Sequence, residues 1–436
     1  MAKRMLAALA CVCAAVMLAG CGGLTFQNVN DLLRAPALGQ GQDEIQKALT
    51  SFLGGVEPQY KFPKGGDWRS PLVRADFDGD GRQEAVLLYG VADATEIAKE
   101  KGSHVYMAVL EMQQGEWQVT QDVRGLSSDV ASLEVADLLG DGTKQLIVGF
   151  SNANLSQKTL GLYSYNPKGE GLERLHSFEY SRYEIGDFTG RGGSDLVVVS
   201  RYDQPGSLRL QYVPTENGVF LPDLEPVKLD NLFISCEGIA PGIGMEGERV
   251  LVVDGVTSTD NGPLASQIVY YSNGRFYTVD DFGALRGDTG RQNRLLLSRD
   301  IDGDGAVEIP SRQGGEIATP AGDKKLEYVV WKDFTDIDEG PVIKQFGLLD
   351  SDRSVYIHLP DAWQGELVVA DGENRGEWKL QRRKTMGTLL SLKVLELGDT
   401  APMGAMRVPG SVNSYLVFAG SLSEEERATI QMVGMG

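Results

Sequence analysis

Histidine and cysteine are scarce in this 436-residue chain, with three of the first and four of the second. His104, His176 and His358 lie far apart, so no two-histidine metal site can be assembled locally. There is no Gly-x-Ser-x-Gly elbow for a hydrolase serine and no Gly-Lys pair for a phosphate loop. Basic residues are also short, 41 against 61 acidic, for a formal charge of -20. Such a surface does not seek nucleic acid or anionic headgroups. Long stretches of helical periodicity are rare while glycine is plentiful at 54 residues, which favours a mainly β chain with many turns. The length is too great for one small core, so two or more domains are expected.

The first twenty residues have their own composition. Lys3 and Arg4 precede an uncharged stretch from Met5 to Leu18, followed by Leu18-Ala19-Gly20-Cys21. A bilayer span needs about 20 apolar residues, and this run is shorter, as in a signal peptide. Leu-Ala-Gly-Cys resembles the lipobox of bacterial lipoproteins. The resemblance implies cleavage after residue 20, a diacylglyceryl group on Cys21, and a location on the extracytoplasmic face of a bacterial membrane, with a Gram-positive-type envelope favoured. Two or more acyl chains anchor stably where one is marginal. Loss of Lys3 and Arg4 would take the charge from -20 to -22. Cys11 and Cys13 would leave with the signal, so Cys236 remains without an intrachain partner and is expected to be a small buried residue. Residues 21–42 read as a flexible tether. Within 43–69, a short helix and lead-in, the apolar Ile45, Ala48, Leu49, Phe52 and Leu53 recur at helical spacing.

A repeat then begins. Asp76-Phe77-Asp78-Gly79-Asp80-Gly81 precedes the run Glu84–Leu88, and Asp137-Leu138-Leu139-Gly140-Asp141-Gly142 precedes Gln145–Val148. Asp187-Phe188-Thr189-Gly190-Arg191-Gly192 precedes Asp195–Val198, and Asp300-Ile301-Asp302-Gly303-Asp304-Gly305 precedes Glu308-Ile309. The spacing leaves room for a degenerate unit at Gly242–Gly247 before Val250–Val253. Each unit continues through further strands, with turns such as Gln114-Gly115 and Asn273-Gly274 between apolar runs. A strand is expected before each loop too, at Leu133–Val135 and Leu295–Leu297. Four strands per unit, repeated about five times, describe a β-propeller over 70–346.

In the first and fifth units, oxygens fall at positions 1, 3, 5 and 9 of a glycine-bearing loop: Asp76, Asp78, Asp80 and Glu84, then Asp300, Asp302, Asp304 and Glu308. Hard oxygen ligands at alternate positions suit Ca²⁺, with the carbonyls of Arg82 and Ala306 at position 7. An EF-hand would carry a glutamate at position 12, where Leu87 and Ser311 stand. The pattern resembles the FG-GAP or VCBS repeat of integrin-like β-propellers, which implies two structural calcium sites. Asp137, Asp141 and Gln145 form a weaker set because Leu139 replaces a carboxylate. In the third unit Thr189 and Arg191 replace two ligands, and Arg191 can supply positive charge itself.

Residues 347–436 depart from the repeat and read as a small α+β domain, with strands at Val355–Leu359, Glu366–Val369, Leu389–Leu395 and Ser414–Phe418. A helix from Ser423 to Met432 would open on a Ser423/Glu426 capping box. The expected function is a membrane-anchored, calcium-stiffened propeller that binds an extracellular protein or glycan, without catalytic residues. The alternative is a carbohydrate-active enzyme, a polysaccharide lyase or hydrolase, which would need a central cleft lined by Arg, Lys, Tyr and paired carboxylates. The acid pairs Asp280-Asp281 and Asp336/Asp338 are the sequence's candidates for that chemistry.

Overall fold

A computed structural model describes residues 42–435 apart from 92–101, 153, 155–156, 169–170, 202–207, 217, 222–223, 245, 259–261, 279–287, 313–325, 335–339 and 397–398. The signal segment, Cys21 and the tether lie outside the described residues, as do Asp280, Asp281, Asp336 and Asp338.

The protein is mainly β. A helix, α1 (Asp43–Phe52), leads into a series of antiparallel sheets, most of them meanders in chain order. Sheet I sets Gln59–Tyr60 and Leu72–Ala75 end to end along one edge of Glu84–Gly90, followed by Tyr106–Gln113 and Glu116–Arg124. Sheet II is Asp129–Ala136, Gln145–Ser151, Lys158–Asn166 and Gly171–Glu179. Sheet III is Arg182–Gly186, Asp195–Arg201, Leu208–Val213 and Val227–Lys228. Sheet IV is Phe233–Ile243, Arg249–Thr257, Leu264–Ser272 and Arg275–Tyr277. The unit inferred at 242–247 is here a tight hairpin, closed by Gly244 N–H to the Glu248 carbonyl (2.8 Å). Turns Gln114-Gly115 and Asn273-Gly274 have positive φ at both positions, as two-residue hairpins with right-handed strand twist require.

The second strand of each repeat explains the stacking. Glu84–Gly90 and Gln145–Ser151 are buried at every residue. Their sequences are continuous apolar runs, not alternations, because both faces of the strand are covered. Val86 and Leu88 join Leu146, Val148 and Phe150 in the core between sheets I and II. Ile147 faces the other way, onto Leu196 and Val198 of sheet III. Val197 and Val199 in turn face Leu251 and Val253 of sheet IV, and Val250 and Val252 face Ile309. One strand thus feeds two cores, each buried Val or Leu contributing about 1.5–3 kcal/mol. The remaining face of sheet I, with Ala85, Leu87 and Tyr89, is covered by Ile45 and Leu49 of α1.

Four expectations change. The strand Val342–Asp350 runs through residue 347, the expected boundary, and pairs with Val355–Leu359. Sheet V therefore comprises Glu308–Arg312, Leu326–Asp333, Val342–Asp350, Val355–Leu359 and the C-terminal Gln431–Gly434. Second, Leu295–Leu297 is not a strand: Leu296 turns into the core beside Val329, Trp331 and Tyr356, and among the described residues the ladder contacts flanking it are single bridges, Arg291 with Leu264 and Arg299 with Glu308. Third, the C-terminal helix, α2, is only Glu424–Thr429. Its capping box is present as expected, but Gln431 and Met432 leave it to pair with sheet V. Fourth, the expected α+β unit is itself mainly β. Sheet VI orders Leu367–Asp371, Trp378–Arg382, Thr388–Val394, Ser414–Phe418 and Met406–Arg407, and its Trp378, Leu390 and Leu416 share a core with Phe346, Leu348 and Ile357 of sheet V. Trp378 Nε1 donates to Asp350 Oδ2 (3.0 Å), joining the two sheets.

Candidate functional site: the acidic loops

Each acidic loop connects the edge strand of a repeat to its buried second strand, or, in sheet V, the bridged residue Arg299 to Glu308. The loop must reverse direction within a few residues, and its two glycines carry that turn. Gly79 and Gly81 have φ of 76° and 87°, and Gly303 and Gly305 have φ of 84° and 92°. Only glycine takes such angles without strain.

The first aspartate organises the turn. Asp76 Oδ1 accepts from Gly79 N–H (2.8 Å) and Oδ2 from Gly81 N–H (3.0 Å). Asp300 does the same with Gly303 (2.7 Å) and Gly305 (3.0 Å), and Asp137 with Gly140 (2.7 Å) and Gly142 (3.0 Å). The ninth residue closes the loop: Glu84 Oε2 accepts from Phe77 N–H (3.0 Å), and Glu308 Oε2 from Ile301 N–H (3.0 Å). One backbone frame therefore recurs, and the side chains decide what it can hold.

In the first loop, oxygens of Asp76, Asp78 and Glu84 lie within 4.8 Å of one another. In the fifth, oxygens of Asp300, Asp302 and Asp304 meet the same limit. Asp80 is held by the Arg82 guanidinium, whose hydrogen bonds keep its carboxyl below the usual carboxylate range. Asp304 is likewise lowered, first by a hydrogen bond from Lys344. Lys344 comes from a distant strand, and sequence spacing gave no sign of it. The carbonyls of Arg82 and Ala306 stand at position 7 of their loops.

Glu308 is the most telling group. It is fully buried, and its Oε1 has no hydrogen-bond partner among the described residues. Burial, with Asp302, Asp304 and Asp300 adding to it, pushes its carboxyl up to about 7. Glu84 is shifted the same way, first by burial. A buried carboxylate oxygen without a donor is costly, and a cation among these acids would relieve it. The donor set, all hard oxygen, fits Ca²⁺.

The other loops differ in kind. Gln145 Oε1 accepts from Leu138 N–H (2.7 Å), while its Nε2 donates to Thr143 Oγ1 (2.9 Å), so an amide replaces the buried charge. In the third, Arg191 donates to Thr189 Oγ1 (3.1 Å) and to the Tyr212 hydroxyl. This guanidinium lies among the oxygens as a built-in cation.

Successive loops also touch. Lys144 N–H donates to the Phe77 carbonyl (2.9 Å), and Ile243 N–H to the Gly305 carbonyl (2.9 Å). A Cβ on Gly190 would lie 2.7 Å from Arg249 Nε. These contacts link the first repeat to the second, the third to the fourth and the fourth to the fifth, a feature with no short sequence signature. Cys236 is buried, as expected, and burial pushes its thiol well above the ordinary range.

No family model matches the chain, and no curated protein matches it. Among solved structures, it is similar to a levansucrase variant of B. megaterium, at 10% identity over 68% of this chain and 83% of that one, with a TM-score of 0.24. The Dos1 propeller matches at 12% identity over 59% and 72%, TM-score 0.25. A protein from Lactobacillus plantarum matches at 11% identity over 73% and 83%, TM-score 0.28. Likenesses of this size carry no argument about function.

Proposed function

We propose that the protein is a lipid-anchored extracytoplasmic binding module whose propeller-like blades are stiffened by Ca²⁺ at the first and fifth repeats. Two observations carry the metal: the converging oxygens of Asp300, Asp302 and Asp304, and the buried Oε1 of Glu308 in the same loop, which has no hydrogen-bond partner among the described residues. Asp300, Asp302, Asp304 and Glu308 with the Ala306 carbonyl would hold one ion. Asp76, Asp78, Asp80 and Glu84 with the Arg82 carbonyl would hold another. Bound Ca²⁺ supplies charge neutralisation and fixes the loop; it does no chemistry.

The stacked four-stranded meanders support the propeller reading, and sheet VI extends the series beyond the five repeats. In a closed ring the outer face of sheet I would meet the last blade; here α1 covers it. The Leu18-Ala19-Gly20-Cys21 pattern supports the anchor, which sets the loops in a compartment where weak calcium sites fill. At ten times Kd, each site adds about 1.4 kcal/mol to folding stability. The test has two arms. Changing Cys21→Ala should move the protein from the membrane to the soluble fraction, and chelation should lower the melting temperature reversibly. An unaltered membrane fraction sinks the anchor, and a melting temperature indifferent to calcium sinks the stiffening role.

A further inference from the structure

A second site lies away from the acidic loops, where the edge strands of sheets II and III meet the lead-in segment. Gly65 bridges to Ser132, and Trp68 N–H donates to the Leu133 carbonyl (3.2 Å), so residues 65–68 lie along sheet II. Between them and sheet III is a cleft of about 410 Å³, open to solvent and within the size range of small-ligand sites.

Its walls are aromatic and its rim is charged. The rings of Tyr180 and Tyr183 meet edge to face, 5.3 Å between centroids, and Lys158 Nζ stands 5.8 Å from the Tyr180 ring. The Tyr183 hydroxyl lies 2.8 Å from Ser132 Oγ and donates to Glu134 Oε1 (3.1 Å). On the same strand as Tyr183, Arg182 donates through Nε (3.0 Å) and Nη2 (2.6 Å) to Glu184 Oε1, and both line the cleft. Gly149 makes the wall possible: a Cβ there would lie 2.2 Å from Ser132 Oγ and 2.3 Å from the Tyr180 hydroxyl.

The lining chemistry selects the ligand. An anion would meet the carboxylates of Asp67, Glu134 and Glu184; a cation would meet Lys158 and Arg182. A neutral group with many hydroxyls satisfies both sets, since each hydroxyl can donate to a carboxylate and accept from Lys, Arg or Tyr. Its C–H face can pack on a tyrosine ring. We propose that this cleft binds a neutral sugar unit, with Glu134 and Arg182 taking its hydroxyls and Tyr180 its apolar face. The assignment rests on the reading of the chain as an exported binding module and names its ligand class.

The test uses the full chain with soluble cellobiose, maltose and N,N′-diacetylchitobiose as probes, and glucose 6-phosphate and glucosamine as charged controls, read by saturation-transfer NMR. At least one neutral disaccharide should bind, and Tyr180→Ala should weaken it by about tenfold or more. The near-isosteric Glu134→Gln guards against misfolding and should also weaken binding. Failure of every neutral probe, preference for a charged control, or binding unchanged in both variants would overturn the assignment. A calcium titration on the same samples keeps the two readings apart. Calcium binding without sugar binding defeats only the cleft, and sugar binding without calcium binding defeats only the loops.

Discussion

The Arg191 guanidinium donates to the Tyr212 hydroxyl, which in turn lies 2.9 Å from Asp195 Oδ1. A side chain five positions into the third loop thus supplies the charge that an ion supplies in the complete loops. Asp187 and Asp195 already stand at positions 1 and 9. Changing Thr189→Asp together with Arg191→Asp completes the oxygen set. Isothermal titration should then show one calcium event more than the unaltered protein; an unchanged number would mean that the third loop lacks a shared frame.

Glu308 and Gln145 fill the same place in two loops, one as an acid with an orphan oxygen and one as a satisfied amide. Glu308→Gln should raise the melting temperature in chelator, because a buried unpaired charge is removed. In calcium the order should reverse, since the ion loses a ligand. The gain in chelator is on the order of 1–3 kcal/mol. Melting curves of both proteins under both conditions decide this, and parallel curves without a crossing contradict it.

Asp254 and Arg291 form an ion pair at 2.7 Å with both side chains almost wholly buried. Asp254 also takes Ser298 N–H (2.6 Å) and the Ser266 hydroxyl (2.5 Å), holding the segment that leads into the fifth loop. Asp254→Ala should cost about 3–5 kcal/mol because it strands the guanidinium. Asp254→Leu with Arg291→Met should cost much less, as judged by denaturant midpoints. Equal losses would show that the polar network, not the stranded charge, sets the cost.

His358 lies half-buried in the strand Val355–Leu359, and burial lowers its proton affinity despite Asp361 nearby. A histidine held neutral in the fold adds nothing above its ordinary pKa and destabilises as pH falls through it. His358→Gln should therefore gain melting temperature relative to the unaltered chain at pH 5 but not at pH 8. A difference independent of pH would contradict the assignment.

The repeats were readable because each loop carries its own signal and the following strand, covered on both faces, is a continuous apolar run. Asp76, Glu84, Asp300 and Glu308 were placed by spacing alone. The C-terminal organisation was not readable in the same way. Gln431–Gly434 returns across more than 70 residues to pair with Val355–Leu359, and a nonlocal pairing leaves no trace in local periodicity. Met432 suits a helix or a strand equally, so the capping box at Ser423 marked the start of α2 but not its end. Leu295–Leu297 misled for a related reason, since three leucines satisfy a strand pattern while only Leu296 is fully buried, with Leu295 packed partly against the same core. The cleft beside Glu134 depends on Gly149, Tyr180 and Gly65 from three segments, and only the fold brings them together.

Calcium titration of the unaltered protein beside Asp78→Ala and Asp302→Ala tests the central claim most directly. The expected result is two events with Kd of about 10⁻⁴ to 10⁻³ M, with each variant losing one and keeping the other. Absence of binding in the unaltered chain, or isotherms unchanged in both variants, would contradict it.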